Sequence, residues 1–193
     1  KGRPLGRPIL GKASTLEQMT GESLRRWQRE HYVPGAIVAA LAGSFEERHV
    51  DALTRRLSAL PEAPLPKVRE AVYLPAVTVR KKAIEQNHLI LAFPALSYLD
   101  EERYALLLLN SILGGGCSSR LFQELREKRG LCYTVYSYVS DHADTGLLGI
   151  YTALNQEQEQ GALEAVRAIV GELAGHGPTQ EELSRARDQA QAN

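Results

Sequence analysis

Two neighbouring segments, residues 131–140 with alternating character and residues 146–154 with the character of a second strand, constrain the fold of this chain most strongly. The first segment alternates as two sets, with Tyr133, Val135, Ser137 and Val139 on one side and Thr134, Tyr136 and Tyr138 on the other. A period of two is the pattern of a β-strand that buries one face. Because a short turn over residues 142–145 is expected between the segments, we predict a hairpin of two antiparallel strands.

The order of the other elements extends this prediction to a fold class. We expect strands over residues 72–84 and 88–93, the first ragged or at an edge because Pro75 interrupts it. Helices are expected over 100–113, 118–128 and 157–173, and from 179 onward. The order β, β, α, α, β, β, α, α predicts an α+β fold, with helices on one face of a mainly antiparallel sheet.

A different pattern precedes this region. Residues 15–32 and 46–60 have the apolar spacing of amphipathic helices, and the unbroken apolar run 36–42 suits a strand buried on both faces. Pro61, Pro64 and Pro66 then mark a linker. We therefore predict a helix–strand–helix remnant of a first domain over residues 1–60, a linker over 61–66 and a second domain over 67–193.

Composition argues against two classes of partner. Lys and Arg number 23, as do Asp and Glu, whereas a nucleic-acid binder should show a basic excess or stripe. The longest apolar runs are far shorter than the ~18 residues that a membrane helix needs. We thus expect neither nucleic-acid binding nor a membrane segment in this sequence.

The sequence offers no metal site of its own. No two of its five histidines lie within ten residues of each other, and no HxxH, HExxH or HxxEH pattern occurs. Glu46 and His49 have helical spacing, but one carboxylate and one imidazole do not complete a zinc site. Cys117 and Cys132 show no zinc-binding spacing and are expected to be free thiols.

The stretch GGGCSSRLFQELREKRGLCY, residues 114–133, carries the candidate functional residues. Gly114, Gly115 and Gly116 can permit a sharp reversal between helices, dock a peptide backbone, or bind a nucleotide phosphate with backbone amides. Arg126 can stabilise the end of its helix electrostatically. Alternatively, Arg126 and Tyr133 together offer a guanidinium and a phenol donor to a carbonyl oxygen or an oxyanion.

The same stretch resembles the second half of the pitrilysin- and insulinase-type zinc peptidases, the inverzincins that include mitochondrial processing peptidase. In that family a glycine-rich turn precedes S-S-R-L-F and then R-E-x-x-G-L-x-Y. Three further stretches agree in the same order, PLGRPILGKASTLEQMTGESLRRWQREHYVPGAIVAALAGSF, EQNHLILAFPA and TQEELSRARDQ. The resemblance covers nearly the whole chain, although Cys117 departs from the small polar residue or methionine that is common after the glycines.

The resemblance implies a divided active site. The family's zinc is held by two histidines of HxxEH and a distant glutamate, upstream of anything in this sequence, so residues 1–60 would be the end of that zinc-bearing domain. Arg126 and Tyr133 match the family's pair that binds the substrate backbone and assists the oxyanion. The glycines at 114–116 would line the peptide path, and the second domain would stop short of its last elements.

These expectations leave three functions open for the parent protein. The first is a zinc metalloendopeptidase that cleaves peptides, with zinc held in its upstream domain. The second is a non-catalytic subunit that completes the active site of a homologous zinc-bearing partner, as a homo- or heterodimer. The third is a purely structural core subunit. In each case we expect this sequence to be an excised piece of a longer protein that alone is inactive and binds no zinc.

Overall fold

The structure is a computed structural model that describes residues 4–65 and 71–192 of the 193-residue chain. The chain divides into two compact units, Lys1–Ala71 and Val72–Asn193. The predicted linker and domain limits remain predictions. Their residues 1–3, Pro66, 67–70 and Asn193 lie outside the described residues.

Six α-helices, one π helix and three strands are found in the described residues. The α-helices are α1 (Ala13–Leu16), α2 (Gly21–His31), α3 (Glu47–Ser58), α4 (Arg103–Gly114), α5 (Glu159–His176) and α6 (Gln180–Ala192). The π helix is Phe122–Lys128. The strands are β1 (Asn87–Ala95), β2 (Thr134–Asp141) and β3 (Gly146–Leu154). Short 3-10 turns occur at Pro4–Gly6, Pro34–Ala36 and Gln156–Gln158.

The three strands form one antiparallel sheet in the second unit, with β3 between β1 and β2. Tyr151 on β3 lies opposite Ile90 on β1 and Tyr136 on β2. The predicted hairpin is confirmed, and its turn closes with His142 N–H donating to the Thr145 carbonyl at 2.8 Å. The alternation in β2 and the short turn before β3 therefore predicted the two strands and their antiparallel direction.

Helices cover one face of this sheet, as predicted for the α+β class. Val135 and Ile150 point into a core shared with α4, α5, α6 and the turn before β2. The buried members are Ile112, Leu113, Leu121, Leu125, Cys132, Val135, Ile150, Leu154, Ala162, Ala165, Val166, Ile169, Leu173 and Ala186. The opposite face carries Tyr136 against Tyr151, with ring centroids 4.9 Å apart and the rings tilted by 33°.

The predicted strand over residues 72–84 is wrong. This segment has no strand geometry, and Val77 is 95% exposed. Tyr73 does reach the sheet, where its hydroxyl donates to the Ala92 carbonyl of β1 at 2.7 Å. A strand needs a partner for its backbone N–H and C=O groups, and in the described part of the sheet residues 72–84 pair with none.

In the first unit, the single helix predicted over residues 15–32 is divided. The first part, α1, ends at Leu16. Thr20 caps α2, because its Oγ1 accepts from Ser23 N–H at 3.2 Å. Ser23 Oγ in turn accepts from Thr20 N–H at 2.9 Å, which completes a capping box. The helix predicted over 46–60 is confirmed as α3, and His49 Nδ1 caps it by accepting from Glu46 N–H at 3.0 Å.

The buried strand predicted over residues 36–42 is also wrong. Ile37 has extended backbone angles, φ −116° and ψ 127°, yet no strand lies in the described part of this unit to pair with it. Val38 is 96% exposed. Within residues 4–65, Val33 is the one apolar side chain that is buried.

No helix in residues 4–65 or 71–192 is both long enough and apolar enough to cross a bilayer.

Candidate functional site

Gly114 ends α4 where the helix touches β2. A Cβ atom at this position would lie 2.4 Å from Ser137 N and 2.6 Å from Ser137 Oγ, so only glycine fits. Ser137 Oγ also donates to the Asn110 carbonyl of α4 at 3.2 Å. The close approach of helix and strand thus explains the first of the three glycines.

The next two glycines are exposed at the reversal after α4. Gly116 has no atom within 4 Å of the place a Cβ would occupy, and neither Gly115 nor Gly116 has a positive φ. Their backbone is open to solvent. A role for residues 114–116 along a peptide path remains a prediction, for which Gly115 and Gly116 offer the accessible backbone.

Arg120, which follows the glycines, forms an ion pair with α6 that the sequence did not indicate. Its Nε and Nη2 donate to the two carboxylate oxygens of Glu182 on α6 at 2.7 and 2.8 Å. The two side chains are only 14% and 15% exposed. Glu124, four positions after Arg120, binds Lys128 and Arg129 instead.

This ion pair changes the titration of Glu182. The hydrogen bonds from Arg120 lower the pKa of its carboxyl from 4.5 to about 2, and Thr179 contributes to the same shift. Thr179 and Glu182 form two reciprocal hydrogen bonds: Thr179 N–H donates to Glu182 Oε2, and Glu182 N–H donates to Thr179 Oγ1. The pair therefore fastens α6 to the segment that carries the candidate residues.

The segment that carries Arg126 is a π helix, where sequence analysis predicted an ordinary helix over 118–128. Leu121 and Leu125 are fully buried and fix this segment to the core. Gly130, at φ +59°, ends it: Gly130 N–H donates to the Arg126 carbonyl, and Leu131 N–H donates to the Leu125 carbonyl at 2.7 Å. Both bonds span one residue more than in the usual glycine-terminated α-helix, as the wider turn requires.

Arg126 and Tyr133 meet at the surface beyond this end. Arg126 Cζ lies 5.9 Å from the centroid of the Tyr133 ring and 4.8 Å from that of Phe122. Tyr133 is 71% exposed, although its N–H is tied to the sheet by donating to the Ala153 carbonyl at 3.1 Å. The structure thus brings the two predicted residues together on a fixed backbone.

The arrangement can bind an oxygen-rich group. The guanidinium has five N–H donors and no acceptor, and the phenol hydroxyl can also donate. Glu127 is the nearby acid, but its Oε1 lies 3.9 Å from Arg126 Nε and both side chains are well exposed. Such a contact contributes little and leaves the guanidinium available to a carbonyl or carboxylate.

The two cysteines differ in their surroundings but are both free, as expected. Cys117 is exposed beside the glycines. Cys132 is buried in the core, and burial raises the pKa of its thiol, which opposes ionisation despite the nearby Arg126 charge. A buried thiol with a raised pKa is a poor nucleophile, so neither its geometry nor its charge suggests catalysis.

No group of three or more His, Cys, Asp or Glu side chains lies together in the described ranges in a way that could hold a metal ion. The Glu46–His49 pair acts as the cap of α3.

A protein-family match and the similar proteins point to the same family. The family described as the peptidase M16 inactive domain matches residues 18–190. An uncharacterized zinc protease of Streptomyces coelicolor is 41% identical over 98% of this chain, and one of Bacillus subtilis is 35% identical over 96%. The chain spans 43% and 46% of the lengths of these two relatives.

Solved structures agree in fold. A peptidase M16 inactive domain from Pseudomonas fluorescens is 30% identical, with a TM-score of 0.81 over 95% of this chain and 45% of its own. A chain of complex III from Candida albicans reaches a TM-score of 0.85 over all of this chain and 48% of its own. At 18% identity, this second likeness shows the fold alone.

Proposed function

Because this chain belongs to the family of peptidase M16 inactive domains, we propose that it supplies the substrate-binding half of a zinc peptidase active site. The observation that supports the proposal is the exposed Arg126–Tyr133 pair, with Cζ 5.9 Å from the ring centroid. Both residues match the family pattern R-E-x-x-G-L-x-Y. Both side chains are exposed, so their donors can receive the backbone of a peptide whose scissile carbonyl is also held at the zinc.

Zinc enters this proposal from outside the described residues, which offer no ligand cluster. The relatives are named zinc proteases and are more than twice as long as the matched part, since the chain spans 43% and 46% of two of them. The metal would be held in another part of the parent protein or in a homologous partner subunit. When bound there, it would activate the attacking water.

Arg126 and Tyr133 would have separate roles. Arg126 would hold a backbone carbonyl of the peptide through charge-assisted hydrogen bonds, which act before and during the reaction. Tyr133 would donate its hydroxyl hydrogen bond to the oxygen on which negative charge develops. Loss of Arg126 should therefore affect mainly KM, whereas loss of the Tyr133 hydroxyl should affect kcat.

The first test is single-turnover cleavage of a peptide by the parent protein, alone and mixed with a homologous zinc-bearing subunit. Tyr133→Phe should lower the rate about 100-fold, within the ~10²–10³ range that oxyanion donors show. Tyr136→Phe is the matched control, because Tyr136 stands on the open face of the sheet, against Tyr151. It should leave the rate unchanged.

The outcomes separate the possible roles. Equal rates for the wild type and Tyr133→Phe would contradict the proposal and leave Arg126 and Tyr133 as helix-end packing. Cleavage only in the mixture would assign the zinc to the partner subunit. Stoichiometric zinc bound to residues 1–193 alone would contradict the location proposed for the metal.

A further inference from the structure

Arg126 lies against aromatic rings. Its guanidinium carbon is 4.8 Å from the Phe122 ring centroid and 5.9 Å from that of Tyr133, both inside the ~6 Å limit for a cation–π contact. Phe122 is half-buried, whereas the Arg126 side chain is 42% exposed. The closer of the two rings is therefore also the better anchored one.

A flexible arginine needs such a contact in order to bind a substrate in one geometry. An exposed Arg side chain has large rotamer entropy, part of which is lost when it binds. The nearby carboxylate of Glu127, at 3.9 Å, is too exposed to hold it. A ring under the guanidinium restricts its motion and leaves the in-plane N–H groups open to a ligand.

The backbone places Phe122 where it can do this. Phe122 follows Leu121 and precedes Leu125, and both leucines are fully buried. Arg126 follows Phe122 by four positions, so the two side chains lie on the same side of the π helix and touch. The backbone that carries the half-buried ring is thus fixed to the core, while the guanidinium that the ring contacts is partly open to solvent.

We infer that Phe122 is a positioning residue for Arg126: its ring holds the guanidinium beside Tyr133 in the orientation that receives the peptide carbonyl. The inference rests on the proposed function, because it gives Phe122 a role through Arg126. A positioning role and simple packing predict different results in one respect. If Phe122 acts through Arg126, removal of its ring should raise KM only while Arg126 is present.

The test measures kcat and KM separately for peptide cleavage by the parent protein in its active assembly. Phe122→Leu and Phe122→Met should each raise KM about two- to fivefold, the worth of one exposed cation–π contact, with kcat nearly unchanged. Phe122→Tyr retains a ring and should restore the wild-type KM. Phe93→Leu removes a similarly accessible ring on β1 and should change neither constant.

A double substitution distinguishes this inference from the proposed function. Arg126→Ala should raise KM by more than the Phe122 variants, and adding Phe122→Leu to Arg126→Ala should have no further effect. If Arg126→Ala has no effect, the proposed function fails. The inference is overturned if Arg126→Ala weakens binding but Phe122→Leu and Phe122→Met do not. It is also overturned if Phe122→Leu lowers activity equally in the wild type and in Arg126→Ala.

Discussion

The two units of this chain differ in what their apolar side chains contact. In the second unit, side chains from four helical segments and two strands meet in one core that includes Leu125 and Ile150, both fully buried. In the first unit, α2 and α3 are equally well capped, yet Leu24 and Trp27 on α2 stay more than half exposed. Capping and amphipathic spacing therefore produce helices in both units, but a core only where the sheet supplies a surface to cover.

The largest expected difference between the units is in the cost of removing a leucine. Leu125→Ala should lower the free energy of unfolding of the second unit by about 3–5 kcal/mol, because it leaves a cavity in the core. Leu24→Ala on α2 should cost less than about 1 kcal/mol, since that side chain is 55% exposed. Urea titration followed by far-UV circular dichroism measures both.

The same titration can follow each unit by its main fluorophore. Trp27 is the only tryptophan and lies in the first unit, whereas seven of the eight tyrosines lie in the second unit and Tyr32 alone in the first. We expect Leu125→Ala to shift the tyrosine transition and to leave the tryptophan transition in place. Coincident transitions that move together would show that the units unfold as one body and would break the comparison.

Ion pairs should show the next largest difference. Arg120→Ala leaves the nearly buried Glu182 carboxylate without its ion-pair partner and should destabilise the second unit by about 3 kcal/mol. Arg48→Ala removes the pair with Glu46 in the first unit, where the side chains are 72% and 66% exposed, and should cost at most about 1 kcal/mol. Thermal unfolding of the two variants checks this, and equal shifts in Tm would contradict it.

Acid should weaken the second unit through Glu182. Its pKa is about 2 when folded and 4.5 ordinarily, so the folded state binds fewer protons and gains stability above pH 4.5. That gain, at most about 3 kcal/mol, is lost as the pH falls from about 5 to about 2. Glu182→Gln should flatten the fall in stability measured over this range, whereas Glu181→Gln, on the exposed side of α6, should leave it unchanged.

The smallest expected effect compares two threonine caps. Thr179→Ala removes the cap of α6, which packs on the core, and should cost about 1 kcal/mol of global stability. Thr20→Ala removes the cap of α2 and should fray that helix without moving the global transition. Hydrogen exchange of the amides of the two helices distinguishes local fraying from global unfolding. A global loss in Thr20→Ala would mean that α2 is part of a cooperative core.

Strands that pair within this chain could be predicted from the sequence, whereas the apolar segments that pair with no strand were predicted wrongly. The alternation in β2 shows which face is buried, and the short turn before β3 brings the partner strand close. Residues 36–42 and 72–84 are apolar enough to be strands, but a periodic pattern does not specify a pairing partner. Helix ends were placed to within a few residues by their caps.

The candidate site was predictable in part for the same reason. Arg126 and Tyr133 are close in sequence, so a short helix and a turn suffice to bring them together. The bond from Arg120 to Glu182 crosses 62 positions, and no local pattern indicates it. The contact of Gly114 with Ser137 depends on how α4 packs on β2, so three adjacent glycines could not reveal which one the packing requires.

The π helix has a consequence for insertions and deletions in this region. Each of its turns uses one residue more than an α-helical turn, so Phe122–Lys128 accommodates a length that an α-helix would not. Deleting one residue between Leu121 and Leu125 would restore α-helical spacing and rotate Arg126 away from Tyr133, even if every remaining side chain were kept. For placing Arg126 beside Tyr133, the number of residues in Phe122–Lys128 therefore matters as much as their identity. A sequence alignment that places a gap in this segment will match Arg126 with the wrong residue of a relative.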